Sequence, residues 1–182
     1  AIQEQMAFFD RFGMDYHITP GISSTQLNKA IREVGIATLR VEMYGHGQSG
    51  GEFGRHTLLK WVDNMLDVVD YAKGLEWVNG LYLCGHSQGG LLTMLIAALR
   101  PDDFKAIIPM SPAIVIVDGA RSGRMLRLVF APENIPDRVY LKEPRLAEGG
   151  STAPSLCGDY FRIARLIRMD EVIAGYRGPV LL

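Results

Sequence analysis

The sequence predicts an α/β fold, a mostly parallel sheet with flanking helices and an inserted cap, or lid, subdomain. Three observations carry that prediction. Short apolar runs alternate with helical periods up to about Pro112; one such run passes through a glycine-flanked serine directly into a long apolar helix; and the alternation stops at Ala113. Apolar strands joined by helices form parallel sheets covered on both faces, whose ligands bind at the carboxyl ends of the strands.

A first helix is expected from a cap at Ser23 or Ser24 to about Val34, with Leu27, Ala30, Ile31 and Val34 on one face and Gly35 as its stop. A strand over 36–43 follows, ended by the glycine- and serine-rich loop 44–51. Thr57 caps a second helix, in which Leu58, Trp61, Val62, Met65, Leu66, Val69 and Ala72 recur at helical spacing as far as Gly74. Leu81 to Cys84 is the next strand. The apolar helix after it is closed by Pro101, and Lys105 to Met110 supplies a further strand ending near Ser111-Pro112.

Beyond Ala113, prolines at 132, 136, 144 and 154 and the pair Gly149-Gly150 separate short amphipathic pieces. These predict a cap over residues 113–172, with a helix around Gly123 to Leu128, a loop at 131–137 and a helix around Tyr160 to Arg168. Arg162, Arg165 and Arg168 share one face of that last helix and read as a solvated stripe paired with Asp159 or Asp170. Residues 1–112 and 173–182 then form the core, where Pro179 to Leu182 resumes strand character.

The 182 residues, 48% hydrophobic with formal charge −1, suit one globular domain with a sizeable core. Lys+Arg (19) and Asp+Glu (20) nearly cancel and form no long run, so neither nucleic acid nor a membrane is an expected partner. A small molecule is, and a homodimer is the assembly considered. The run Leu91 to Leu99 is too short to span a bilayer. The N-terminal residues lack the basic start and apolar stretch of a secretory signal, which makes a cytoplasmic setting the expectation. Cys84, at the end of a buried strand, and Cys157, in a loop, read as free thiols. With His17, His46, His56 and His86 they show no metal-ligand spacing, so no metal is expected.

The chemistry lies in Leu81-Tyr82-Leu83-Cys84-Gly85-His86-Ser87-Gln88-Gly89-Gly90. A serine on a sharp strand-to-helix turn is a nucleophile elbow: the turn strains the serine backbone and exposes its hydroxyl. Gly85 and Gly89 are expected to be small so that strand and helix pass closely. Gln88 opens the helix, so its backbone N–H, which has no partner inside the helix, can donate to the oxyanion formed when Ser87 attacks a carbonyl. Elsewhere the reading is structural. His86, next to Ser87 on the turn, should point away from it, and His17, His46 and His56 read as loop or surface residues. Glu42, Asp102 and Asp103 read likewise as solvated or structural carboxylates.

Three motifs in the same order, Gly85-His86-Ser87-Gln88-Gly89-Gly90, Met43-Tyr44-Gly45-His46-Gly47-Gln48-Ser49 and Pro132-Glu133-Asn134-Ile135-Pro136-Asp137, resemble the cinnamoyl (feruloyl) esterases of gut and rumen bacteria. These are small α/β-hydrolases with an inserted lid. The resemblance spans roughly residues 24 to 182. It implies that Ser87 is the acyl nucleophile, that Gln88 supplies one oxyanion N–H, and that no cofactor takes part. It places the triad acid after the strand that begins at Pro179, and the triad histidine later still, both beyond Leu182. The core is therefore expected to be incomplete, and a chain without a working base would be a non-catalytic fragment or a binding protein on the same scaffold. The second oxyanion donor belongs to a His-Gly loop, matched by the first and last residues of His17-Ile18-Thr19-Pro20-Gly21. Asp118 and Tyr160 fall where relatives hold a phenolic ring. The alternatives are a turn or cap role for Asp118 and helix packing for Tyr160. A lipid ester hydrolase resembling monoacylglycerol lipases is the second reading. It calls for a wide apolar groove where this cap mixes Arg, Asp and Tyr with Leu and Val.

Overall fold

The computed structural model describes residues 29–125, 128–140 and 155–181, so Ser23, Ser24, Leu27 and the loop His17 to Gly21 lie outside it. The chain divides into two compact units, Ala1–Phe53 and Gly54–Leu182.

In the first unit, residues 29–33 are helical and Gly35 stops the helix as expected. It adopts φ +83°, its N–H reaches the Arg32 carbonyl at 3.0 Å, and the Ile36 N–H reaches back to Ile31 at 3.2 Å, so two end carbonyls are satisfied. Val34, expected on the packed face, is exposed. The strand expected over 36–43 forms no ladder among the described residues. An apolar run marks what could be covered, and a strand exists only where a partner completes it. Glu42 organises the following loop: its carboxylate accepts the Gln48 N–H at 2.6 Å, and its backbone carbonyl accepts the buried Ser49 hydroxyl at 2.6 Å.

In the second unit, helix α1 (Leu58–Lys73) begins where Thr57 caps it, with the threonine hydroxyl accepting the Lys60 N–H at 3.2 Å. Strand β1 (Leu81–His86) runs into α2 (Gln88–Leu99), and strand β2 (Phe104–Met110) pairs with β1 in parallel from Leu81↔Phe104 to His86↔Met110. The strand character expected at Pro179 is realised in part: Val180 bridges Ile107 in parallel on the other side of β2. β1 alternates, with Tyr82, Cys84 and His86 exposed, so Cys84 is not the buried residue expected from the apolar run. A strand covered on one face buries every second residue. α2 is apolar on all sides and forms the centre of the core, where Leu91, Ile96 and Ala97 are fully buried.

The following elements are α3 (Val115–Ser122), the antiparallel pair β3 (Arg124–Met125) and β4 (Leu128–Val129), the antiparallel pair β5 (Arg138–Tyr140) and β6 (Ser155–Cys157), and helices α4 (Gly158–Ala164) and α5 (Met169–Gly175). Two expectations are corrected here. The helix expected around Gly123 to Leu128 lies earlier and ends at Gly123, whose left-handed φ of +70° turns the chain so that Phe130 N–H reaches its carbonyl at 2.9 Å. A Cβ at that position would stand 2.1 Å from the Phe130 carbonyl oxygen. The helix expected from Tyr160 to Arg168 is broken into α4 and α5, so the three arginines do not form one stripe. Arg162 donates to the Ile135 carbonyl (2.6 Å), to Asp137 (3.1 Å) and to Asp159 (3.0 Å); Arg165 donates to the Pro132 carbonyl (2.7 Å); Arg168 pairs with Asp170. Two of the three hold the 131–137 loop.

Candidate active site

β1 ends at His86 and α2 begins at Gln88, so Ser87 alone makes the turn. Its φ of 57° and ψ of −118° lie in a region that side chains other than hydrogen rarely adopt. Tertiary hydrogen bonds hold it there. Ser87 N–H donates to the Met110 carbonyl at 3.0 Å, while the Ser87 carbonyl accepts from Leu91 N–H at 3.1 Å and Ala113 N–H at 2.9 Å. A trans peptide is planar, with C=O and N–H on opposite sides. Two donors on the Ser87 carbonyl therefore aim the Gln88 N–H away from Leu91 and Ala113. As a first-turn donor it has no partner within the helix, and Ser87 beside it is exposed.

The segment Met110 to Ala113 thus braces both sides of Ser87. It is itself strained: Ser111, at φ 42°, is the other non-glycine residue at positive φ among the described residues. The glycines that permit the approach are only partly those expected. A Cβ on Gly85 would lie 2.1 Å from the Gly89 carbonyl oxygen, so Gly85 is required. Gly89 faces open space, whereas a Cβ on Gly90 would lie 2.9 Å from Pro112 Cα and 3.0 Å from the Met110 oxygen. The close approach is to the brace, so the glycine it needs is Gly90 rather than Gly89. The sequence signal for the brace was the Ser-Pro pair ending β2, whose contact with the elbow only the fold shows.

Tyr160 is 1% exposed and donates its hydroxyl to Gln88 Oε1 at 3.0 Å. Burial pushes the phenol pKa well up, so the hydroxyl keeps its proton. Its ring meets His56 edge-on at 5.3 Å and Phe161 at 5.2 Å, and buried His56 in turn stacks on Trp61 at 5.3 Å. Gln88 Nε2 is buried without a partner among the described residues. Asp118 has different surroundings: on α3 its side chain is 78% exposed, 3.9 Å from Arg121.

His86 is exposed at the end of β1, and in the first unit His46 Nδ1 lies 3.1 Å from the Tyr44 carbonyl with its ring against Phe53. Asp103 pairs with Lys73 and, at 3.8 Å, with Arg100; Asp102 is exposed. Among the described residues no cluster of His, Cys, Asp or Glu could hold a metal, and no helix is long and apolar enough to cross a membrane. An apolar groove of about 390 Å³ lies along Leu58, Val62, Leu95, Leu99, Ile163 and Leu166. At 1.5 Å per residue, Leu95 and Leu99 stand about 12 to 18 Å along α2 from Ser87, so the groove is separate from the elbow.

A parallel sheet whose strand turns through a strained, exposed serine into a buried helix defines an α/β-hydrolase. Residues 23–160 match the family described as Serine aminopeptidase, S33, and the chain belongs to that family. It is similar to Est1E from Butyrivibrio proteoclasticus, solved with ferulic acid bound: 45% identity, TM-score 0.80, over 88% of this chain and 61% of that one. A second Est1E structure gives 43% identity and TM-score 0.73 over 86% of this chain and 57% of that one. The chain thus spans about three fifths of the length of Est1E. A monoacylglycerol lipase from Paleococcus ferrophilus, 20% identical with TM-score 0.54 over 86% of this chain and 65% of that one, shares the fold. Among curated proteins no sequence match is found.

Proposed function

We propose that the protein is a serine carboxylic ester hydrolase acting on small hydroxycinnamate (feruloyl-type) esters. The observation that carries this reading is the Ser87 peptide, pinned by Met110, Leu91 and Ala113 so that an exposed hydroxyl and the Gln88 N–H stand together. The 45% identity to Est1E with ferulic acid bound supports the acyl group. Ser87 Oγ attacks the ester carbon and passes its proton to a histidine oriented by an acid, which the resemblance places after the strand at Pro179. Gln88 N–H takes the charge that develops on the carbonyl oxygen. Collapse expels the alcohol, which receives the histidine's proton, and water then releases the acid from the acyl-enzyme.

Residues 113–172 serve on this reading as the cap, which their antiparallel pairs and short helices support. Asp118, just over one helical turn past Ala113, is the group assigned to the phenolic hydroxyl. The free thiols Cys84 and Cys157 suit a cytoplasmic setting, and a homodimer is the assembly to look for by light scattering. The deciding test is turnover of methyl ferulate against a monoacylglycerol by the full-length protein. Preference for methyl ferulate, lost in Ser87→Ala, is expected. Preference for the lipid overturns the substrate, and failure of a fluorophosphonate probe to label Ser87 overturns the catalytic reading in favour of a binding scaffold.

A further inference from the structure

We propose that Ser111 is a positioning residue: from the end of β2 its hydroxyl donates to the carboxylate of the triad acid and holds it in line with the histidine that serves Ser87. The inference rests on the hydrolase reading above and goes beyond it by giving a role to a residue outside the triad and the oxyanion site.

Sheet order brings Ser111 there. β2 lies between β1, which ends one residue before Ser87, and the strand at Pro179, which meets β2 in parallel through Ile107↔Val180. Two backbone bonds fix that pairing: Ile107 N–H reaches the Pro179 carbonyl at 3.1 Å, and Leu181 N–H reaches the Ile107 carbonyl at 3.0 Å. Met110, three residues past Ile107, is therefore level with the position just past Leu182. Ser111 stands beside the turn on which the resemblance puts the acid. Neighbouring strands lie about 4.8 Å apart, so two spacings, about 10 Å, separate Ser87 from that turn. An imidazole that bridges them must cross the end of β2, where Ser111 is.

The backbone shows that the position is not there for the turn alone. Ser111 adopts φ 42°, which L side chains resist, and Pro112 after it favours extended backbone instead. Glycine would make the same turn without strain. What serine adds is a hydroxyl, which is exposed and has no hydrogen-bond partner among the described residues. Packing does not call for it either, because the atoms of this segment that press on Gly90 are the Met110 oxygen and Pro112. Strain kept where the fold makes no use of the side chain points to a group held for chemistry. A hydroxyl on a carboxylate makes a charge-assisted bond, stronger than a neutral one.

The test compares Ser111 variants of the full-length protein by turnover of methyl ferulate and by the rate of fluorophosphonate labelling at Ser87. Ser111→Gly relieves the strain and deletes the hydroxyl. It should leave Tm no lower, yet slow kcat and labelling about tenfold each with KM unchanged, the loss of one hydrogen bond to a charged group. Asn and Asp both tolerate left-handed backbone and differ in charge. Ser111→Asn, which can donate, should recover most of the rate. Ser111→Asp cannot donate and sets a second carboxylate beside the histidine. It should stay slow and move the acid limb of the kcat/KM profile about one pH unit higher, because the added negative charge favours the protonated imidazole. A residue that only shapes the brace would leave that limb in place and make Ser111→Gly at least as fast as the native protein; either result overturns the proposal. So do equal rates for Ser111→Asn and Ser111→Asp, or a loss expressed in KM alone, which would put Ser111 on the substrate. If the native protein neither turns over the ester nor labels, the hydrolase reading has failed and the proposal falls with it, whereas an active native protein with a fast Ser111→Gly overturns the proposal alone.

Discussion

Ala113 donates its backbone N–H to the Ser87 carbonyl at 2.9 Å, closing against the elbow a turn that begins where Ser87 N–H meets Met110 at 3.0 Å. The backbone of Ser87 is therefore held by the end of the neighbouring strand, through groups that carry no side-chain signature. Because both partners are main chain, substitutions act on this brace through space and backbone conformation rather than through lost functional groups.

Gly90 and Gly89 should differ sharply although they are adjacent. Alanine at 90 would press on Pro112 Cα at 2.9 Å and on the Met110 oxygen at 3.0 Å, whereas alanine at 89 meets nothing. Gly90→Ala is expected to cost about 1–3 kcal/mol, as overpacking does, and to slow fluorophosphonate labelling of Ser87. Gly89→Ala should leave stability unchanged or raise it by up to about 1 kcal/mol through helix propensity. Urea denaturation of both variants checks the contrast.

Ser87 stores strain at φ 57° and ψ −118°. Ser87→Gly relieves it, whereas Ser87→Ala does not. Strain of this kind is of order 1–3 kcal/mol, partly offset by the greater freedom of glycine in the unfolded chain. Ser87→Gly should therefore be the more stable of the two by about 1 kcal/mol, net of that freedom. Paired denaturation curves measure it, and neither variant should be labelled.

The 131–137 loop depends on the planar fork of Arg162, which reaches Ile135 at 2.6 Å and Asp137 at 3.1 Å while also holding Asp159 at 3.0 Å. The bonds to the Asp159 and Asp137 carboxylates hold the guanidinium pKa above its ordinary value. Lysine keeps the charge but cannot span three acceptors. Arg162→Lys should make the loop a site of early cleavage in limited proteolysis, with the native protein cut more slowly there.

On α1, burial and the neighbouring carboxylates Asp63 and Asp70 push the Asp67 pKa above its ordinary 3.8. The folded state then binds the proton more tightly than the unfolded one, so this group's contribution falls as pH rises from that value through the folded pKa. Asp67→Asn should raise Tm at pH 7. The gain should vanish when pH is brought below about 3, where Asp67 is protonated in both states. A Tm series across that window tests the sign.

Local chemistry made much of this fold legible. Thr57 and Gly74 bracket α1 because a cap and a stop act on their own helix. Gly35 ends its helix for the same reason, and the elbow motif marked both β1 and α2. What was misread depended on distant partners. Residues 36–43 have strand composition without a ladder among the described residues, and the expected helix at Gly123 is a left-handed stop closed by Phe130. Arg162, Arg165 and Arg168 have helical spacing, but the helix breaks where the first two turn to the carbonyls of a loop some thirty residues earlier in the chain.

Sequence alone located the elbow, because a serine flanked by Gly85 and Gly89 where an apolar strand meets an apolar helix is a pattern that adjacent residues carry in themselves. It also determined the α/β alternation, through apolar periods that each element carries in itself. Only the tertiary structure decided what holds that serine: Met110 and Ala113 on its peptide, and Gly90 rather than Gly89 at the point of contact. Main-chain hydrogen bonds and close packing between distant segments leave almost no mark on residue identity, so they become visible only when the chain is folded.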